Sequence, residues 1–385
     1  MKIIHRYIFR SVLFSSLAAV GLFVFLLLAG NILKDIIGLL MTGRLNLQMF
    51  LQLMLLLIPY VISYALPLGI LTGLLMALGR LSAHQEVVAL KSVGVSIFHI
   101  ATPVITIALL GVGLSALINC YYAPEAKMRY RNVLANTVRQ SPLSFVAPKT
   151  FIHEFTGYVL YVGEKSGNTL KDFWIWELDN NYNAIKLLRA KEGKFNYDAK
   201  GDALVLTLVE GFSEMRSARN PNDLQSIRPT VSFREARLRL PLDRLLGSKS
   251  KYVSLSILNI NQLLDRKEML AQKISQLEKD ADLGERKIKI AEKIKVQMQI
   301  QKNLAMAFSV LSLTLIGIPL GIKVSRKETY ANLGLALTLA MGYYFLIIIV
   351  GWLEKAPQLR PDIIIWIPNL VFQSIGIWLI FRANK

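Results

Sequence analysis

The sequence predicts an α-helical membrane protein: six transmembrane helices, with a block of antiparallel strands and a helical hairpin inserted between the third and the fourth. Composition is the first observation behind this. Of 385 residues, 53% are hydrophobic and 18% charged, with a mean hydropathy of +0.42; soluble chains carry about 45–50% and about 25%. Second, apolar runs of the length that a bilayer core demands, about 20 residues in a helix, occur six times. Third, a long polar stretch separates the third run from the fourth, patterned first at strand spacing and then at helix spacing. A collagen-like or disordered chain is excluded, because 24 Gly and 13 Pro follow no period. Cys120 is the only cysteine, which leaves no intramolecular disulfide and no cysteine metal cluster. The formal charge of +19, from 45 Lys and Arg against 26 Asp and Glu, calls for an anionic partner, either nucleic acid or lipid.

The first span runs from Val12 to Leu33. Its apolar stretch is too long for a signal-peptide core and shows no clean small-x-small cleavage site, so its removal is not expected. The others run Leu51 to Leu78, Ile97 to Tyr122, Leu304 to Ile322, Ala331 to Leu353 and Ile363 to Phe381. Lys and Arg in the short loops orient such helices. One set of connections holds Lys2, Arg6, Arg10, Arg80, Lys91, Lys323, Arg326, Lys327, Arg382 and Lys385. The other holds only Lys34, Arg44, Lys355 and Arg360. Both termini are therefore expected in the cytoplasm, and residues 123–303 outside, in the periplasm of a bacterium with two membranes.

That outer block carries 31 basic and 21 acidic residues, ten of the nineteen net charges. Tyr158–Val162, Phe173–Trp176, Ala203–Val209 and Val231–Leu240 are short strand-like runs, punctuated by turn residues such as Lys200-Gly201-Asp202. They predict an antiparallel sandwich over 123–255. Over 256–303 the period becomes helical. Leu270, Ile274, Leu277 and Ala281 recur at 4-3-4 spacing and Ile288, Ala291, Lys295 and Met298 at 3-4-3, with a turn expected at Asp280–Gly284. These arms either pair along a coiled-coil seam or pack as an ordinary hairpin on the protein's own surface. The second arm runs on into the fourth span. The domain plan is thus 1–122 for spans one to three, 123–255 for strands, 256–303 for the hairpin and 304–385 for spans four to six.

Chemistry is mostly missing. No G-x-x-x-x-G-K-[ST] occurs, so the chain has no P-loop for ATP, and H-E-x-x-H, G-x-S-x-G and EF-hand patterns are missing as well. His5, His84, His99 and His153 lie in separate segments without metal-ligand spacing. Paired carboxylates inside the spans, which proton-coupled carriers use, do not occur, and Asp35 sits beside Lys34. No catalytic residue, cofactor or metal ligand is expected.

The most informative short segment is the loop Gly79–Gly94 between spans two and three. Ser82 and Gln85 have the spacing of a capping box, and Glu86 falls in the first helical turn, where the helix dipole favours a carboxylate. Val87, Leu90 and Val93 supply an apolar edge, and Gly94 is placed to end the helix in the left-handed conformation. Such a helix either docks into a partner's groove or lies on the membrane surface, and composition leaves these readings even.

At this loop the sequence resembles the LptF/LptG family, the permease subunits of the lipopolysaccharide-export ABC transporter, and the likeness extends over nearly the whole chain. Arg6-Tyr7-Ile8, Leu66-Pro67-Leu68, Leu71 to Leu81, Glu86 and Gly94 carry it, followed by Ala123-Pro124, Gly317-Ile-Pro-Leu-Gly321 and Trp366-Ile-Pro-Asn369. The wording of the loop leans towards the F member. The resemblance implies a periplasmic β-jellyroll between spans three and four. It also implies a heterodimer with a second permease of the family, seated on a cytoplasmic LptB-like ABC ATPase dimer that uses ATP and Mg while this chain binds no cofactor. Ser82–Gly94 becomes the coupling helix, its Glu86 facing a basic residue of the ATPase. Lys34, Arg129 and Arg131 become contacts for lipid phosphates, with Lys302 a weaker candidate; Lys34 by itself needs only to snorkel to the interface. The implied cargo is lipopolysaccharide, handed to periplasmic LptC/LptA-like bridge proteins, and no nucleic acid. Two rivals stand beside this: an ABC permease of the lipoprotein-release or macrolide-efflux type, disfavoured by six spans, and a membrane scaffold that transports nothing. A reporter active only in the cytoplasm, fused after Lys385, is expected to work, and a periplasm-dependent reporter at that point to stay silent; the opposite pattern inverts the orientation.

Overall fold

The computed structural model describes residues 2–32, 47–140, 148–149, 151–152, 157–166, 169–179, 183–198, 203–215, 229–241, 254–277, 283–323, 329–353 and 357–384. The chain divides into two compact units. One comprises Met1–Leu33, Met54–Met128 and Leu255–Lys385, the other Lys34–Leu53 and Arg129–Ser254. Among the described residues six helices are long and apolar enough to cross a membrane, one for each apolar run: Ile3–Gly30, Leu47–Ala83, Ile97–Val133, Gly284–Lys323, Asn332–Trp352 and Pro361–Ala383.

In chain order, α1 (Lys2–Leu27) ends in a π turn over Leu28–Ile32, and α2 (Leu47–Ala83) forms the second span. The short α3 (Glu86–Ser92) leads to α4 (Ile97–Leu117), which passes through a π turn at Ile118–Tyr122 into α5 (Ala123–Gln140). After the strands come α6 (Ile260–Leu277), α7 (Leu283–Lys323), α8 (Thr329–Trp352), α9 (Pro361–Ile364) and α10 (Ile367–Asn384).

The strands β1 (Phe151–Ile152), β2 (Tyr158–Ser166), β3 (Thr169–Leu178), β4 (Ala184–Asp198), β5 (Ala203–Met215) and β6 (Thr230–Pro241) form one antiparallel sheet in sequence order. Period-two alternation sends Leu160, Val162, Phe173, Ile175, Leu206 and Leu208 to one buried face. The described strands make a meander; neither a second sandwich layer nor the strand-order reversal of a jellyroll is found among the described residues. The Lys200-Gly201-Asp202 turn lies outside them, but the strands flanking it pair Asp198 with Ala203.

In the helical unit α7 is the axle. It is one helix of 41 residues, about 60 Å at 1.5 Å per residue, and covers both the second hairpin arm and the fourth apolar run. Of its most apolar window 72% is buried, against 22% for the first span and 28% for the fifth. Val310 packs with Leu66 and Ile70 of α2, Leu313 and Ile316 pack with Tyr343 and Ile347 of α8, and Leu315 and Ile318 join a cluster from α1 to α4. Outside the apolar window, Val296 and Ile300 meet Leu263 and Leu270 of α6. The expected hairpin phase holds in part: Leu270 and Met298 are buried and Ile274 and Ala291 half-buried, but Ile288 is 57% exposed and Lys295 is exposed too. The facing side of the arm follows from how the rest of the same stiff helix packs. The helix α6 also opens with a capping box that the spacing rules did not single out: Gln262 N–H donates to Asn259 Oδ1 at 2.9 Å, and Asn259 N–H donates to Gln262 Oε1 at 3.1 Å. The turn expected at Asp280–Gly284 falls mostly outside the described residues.

Two close contacts fix the spans. In α2, Gly69 and Gly73 stand four apart, the spacing that lets membrane helices approach backbone to backbone. A Cβ at Gly69 would meet the backbone of Val20 in α1, and one at Gly73 the backbone of Ser16, at distances real Cβ atoms do not show. The other is a polar knot around the fully buried Asn369 of α10. Its Oδ1 accepts from Ser312 Oγ of α7 at 2.7 Å and from Tyr343 Oη of α8 at 2.9 Å, and its Nδ2 donates to Ala305 O at 3.0 Å. Gln373 Nε2 then donates to Ser312 Oγ at 3.1 Å. Gly73→Leu is expected to lower the thermal midpoint of the detergent-purified protein by several degrees or to abolish monodisperse material, whereas Gly113→Leu, where no atom lies within 4 Å of the new Cβ, leaves both unchanged.

Candidate functional site

The residues singled out in the loop between spans two and three converge at one end of the helical unit, but not in the expected roles. The helix α2 continues through Ala83, so Ser82 lies inside it and does not cap α3. Its hydroxyl instead donates to Ile322 O, in the last turn of α7, at 2.7 Å. A hydroxyl that has found an acceptor on another helix is not free to cap α3, and a hydrogen bond of this kind contributes about 0.5–1.5 kcal/mol. Gln85 takes the N-cap position in the left-handed conformation, φ 59°, with no side-chain cap. A left-handed non-glycine residue costs roughly 1–2 kcal/mol, and here it turns the chain sharply from α2 into α3.

The other end is built as its sequence suggests. Gly94 has φ +84°, its N–H donates to Lys91 O, and Val95 N–H donates to Leu90 O, both at 3.0 Å. These two bonds are the Schellman closure, and only glycine enters that backbone region without strain. Glu86 heads the seven-residue helix, half-buried, with Tyr7 Oη of α1 3.5 Å from its Oε1.

Which side of α3 faces outward is a second correction. Val87 is buried and Leu90 half-buried, packed with Ile8, Val12, Leu78 and Ile97. The outward apolar residues are Val88, 57% exposed, and Val93, 82% exposed. Hydrogen bonds add to this anchoring: Lys91 Nζ donates to Ala383 O of α10 at 3.0 Å, and Arg80 Nη2 donates to Ser11 Oγ of α1 at 2.9 Å. The helix α3 is thus riveted by its inner face and presents Glu86, Val88 and Val93. Beside it opens a cleft of about 440 Å³ with Val87, Ile97, Leu320 and Leu379 in its wall and Lys91, Lys323 and Arg382 around it.

The family of the lipopolysaccharide export system permease LptF/LptG matches residues 6–382. The chain belongs to the LptF/LptG family. A curated relative, the lipopolysaccharide export system permease protein LptG of Haemophilus influenzae, is 26% identical over 128 residues. That stretch covers 33% of this chain and 36% of the relative.

Of the lipid-contact candidates in this LptF/LptG chain, Lys34 lies outside the described residues. Arg129 and Arg131 both lie on α5, the first exposed and the second half-buried. Two residues apart on a helix, they point to different sides, so the fold does not converge them on one phosphate. Lys302 is half-buried on α7. Among the described residues no group of three His, Cys, Asp or Glu side chains could hold a metal ion. Missed by the sequence reading were Tyr7, Arg80 and the Ala383 carbonyl, whose only signal is that three chain segments end at the same level. Val87→Asp places an unpaired charge in the packed cluster, which costs roughly several kcal/mol, and is expected to collapse the thermal midpoint; Val88→Asp, one residue on, should melt like the wild type.

Proposed function

We propose that this chain is one permease subunit of an ATP-driven transporter that lifts lipopolysaccharide from the outer leaflet of the inner membrane and passes it to periplasmic bridge proteins. The single observation that carries the coupling part is the anchoring of α3. Val87 and Leu90 sit in a cluster shared with α1, α2, α4, α7 and α10, Lys91 bonds to the last turn of α10, and Ser82, at the end of α2 just before α3, bonds to the last turn of α7. A displacement applied to Glu86, Val88 and Val93 cannot be absorbed by α3 alone, because close-packed apolar contacts transmit strain. It moves the ends of the spans together. A cytoplasmic ATPase dimer holding that face through a cation opposite Glu86 and a groove around Val88 and Val93 would drive the cavity between this chain and a second permease of the family.

The energetics explain why such a drive is needed. Acyl chains leave the bilayer at about 0.8 kcal/mol per CH₂, so drawing out several chains requires hydrolysis in the partner, since this chain has no P-loop. The lipid's phosphates need cations at the outer end of the spans. Lys34 and one of Arg129 and Arg131 supply them in this reading, since the two arginines point apart. In this reading the inner apolar face of the sheet, whose Leu160, Phe173 and Leu206 are buried in this structure, opens to receive the acyl chains on the way to the bridge.

Glu86→Arg reverses the charge offered to the ATPase, leaves Val87 and Leu90 in place and gives up only the long Tyr7 hydrogen bond. It is expected to leave a folded permease and to reduce co-purified ATPase at least tenfold; undiminished co-purification with intact lipid export overturns the coupling role. A photoreactive residue in place of Lys34 should crosslink to lipopolysaccharide in cells, and an adduct-free protein that still exports removes Lys34 from the path.

A further inference from the structure

The coupling role uses Glu86, Val88 and Val93 and leaves unexplained the rest of the cleft beside α3, at whose edge Val88 stands. The wall of this cleft is apolar, formed by Val87, Ile97, Pro319, Leu320 and Leu379. Three cations, Lys91, Lys323 and Arg382, stand around it, all exposed, and no carboxylate lines it. Among the described residues none of the three has an acidic partner. The dipoles of α7 and α10 each favour one cation at their last turns, which accounts for Lys323 and Arg382 as residues of those helices. Lys91 comes from a third element and is brought in by its bond to Ala383 O. A slot with an apolar wall, three cations around it and no carboxylate in its lining favours an occupant that is apolar at one end and anionic at the other.

We infer that the cleft holds an anionic phospholipid of the leaflet at this end of the spans, its phosphate among Lys91, Lys323 and Arg382 and part of an acyl chain along the apolar wall. Both halves of such a molecule are matched. The phosphate takes charge-assisted bonds from three sides, and the chain covers the half-buried Leu320 and Leu379. Because α3, α7 and α10 supply most of the lining, with Ser82 of α2 and Ile97 of α4, the bound lipid braces the lever against the ends of the spans. That last consequence rests on the coupling role of α3; the lipid site itself does not.

The test uses the full chain purified in mild detergent and supplied with phosphatidylglycerol or phosphatidylcholine, with bound lipid counted by native mass spectrometry. The wild type is expected to retain phosphatidylglycerol in preference to phosphatidylcholine. The variant Lys323→Gln/Arg382→Gln should lose that preference, with retention falling about fivefold per cation removed and about thirtyfold in all. Equal retention of both lipids by the wild type, or an unchanged preference in a variant that melts like the wild type, overturns the site. If the double variant does not fold, the wild type alone decides: phosphatidylglycerol should raise its melting temperature and phosphatidylcholine should not, and equal stabilisation by inorganic phosphate would make the site a free-anion site and overturn the lipid. ATPase co-purification measured on the same samples separates the two ideas. In the wild type, no co-purified ATPase with phosphatidylglycerol preference present sinks coupling alone, and co-purified ATPase without that preference sinks the lipid site alone.

Discussion

The hydrogen bonds gathered on Asn369 set the register of three membrane helices at once. In a bilayer no water is at hand to satisfy a buried amide or hydroxyl, so each must find a protein partner. Asn369 accepts from Ser312 and Tyr343 and donates to the Ala305 carbonyl, which joins α10 to α7 and α8 at a single level. A slide of any of these helices by one residue would break several bonds together. Individual bonds of this kind are modest, about 0.6 kcal/mol on average, so the knot acts less by strength than by allowing only one alignment.

The alignment of α7 has consequences at its far end. Its last turn presents the Ile322 carbonyl where Ser82 can reach it, and α10 presents the Ala383 carbonyl to Lys91. The short helix α3 is therefore held by the ends of helices whose heights were settled within the membrane. The glycine pair Gly69 and Gly73 contributes the other half of the frame by letting α1 lie against the backbone of α2, which brings Ile8 and Val12 under Val87. The coupling role proposed for α3 asks motion to pass from a soluble face to a membrane cavity. A lever whose inner side belongs to the core satisfies that demand, because nothing soft separates the two.

The parts legible in the sequence are those with one dominant local cause. Apolar length alone yields six spans, and period-two alternation yields the strands and their buried face. Gly94 is legible because no other residue takes φ +84° without strain. The capping box at Ser82 and Gln85 had the right spacing and still lost, since a carbonyl from a helix some 240 residues away competes for the same hydroxyl. The inner and outer sides of α3 were misjudged for a related reason. Val87, Val88, Leu90 and Val93 are all apolar, and with apolar residues on every side of so short a helix, periodicity does not say which ones the core takes.

By itself the sequence determined the class of this protein: an LptF/LptG chain of six apolar helices, with strands and a helical pair between the third and the fourth. Hydrophobic length and spacing are properties of single segments, and they survive being read one segment at a time. Only the tertiary structure decided the knot at Asn369, the backbone contact at Gly73, the outward turn of Val88 and Val93, and the gathering of Lys91, Lys323 and Arg382 around one cleft. Each of these depends on where two or more helices end or cross, and that is settled jointly by packing and by the need to pair every buried polar group, which no segment of the chain can satisfy alone.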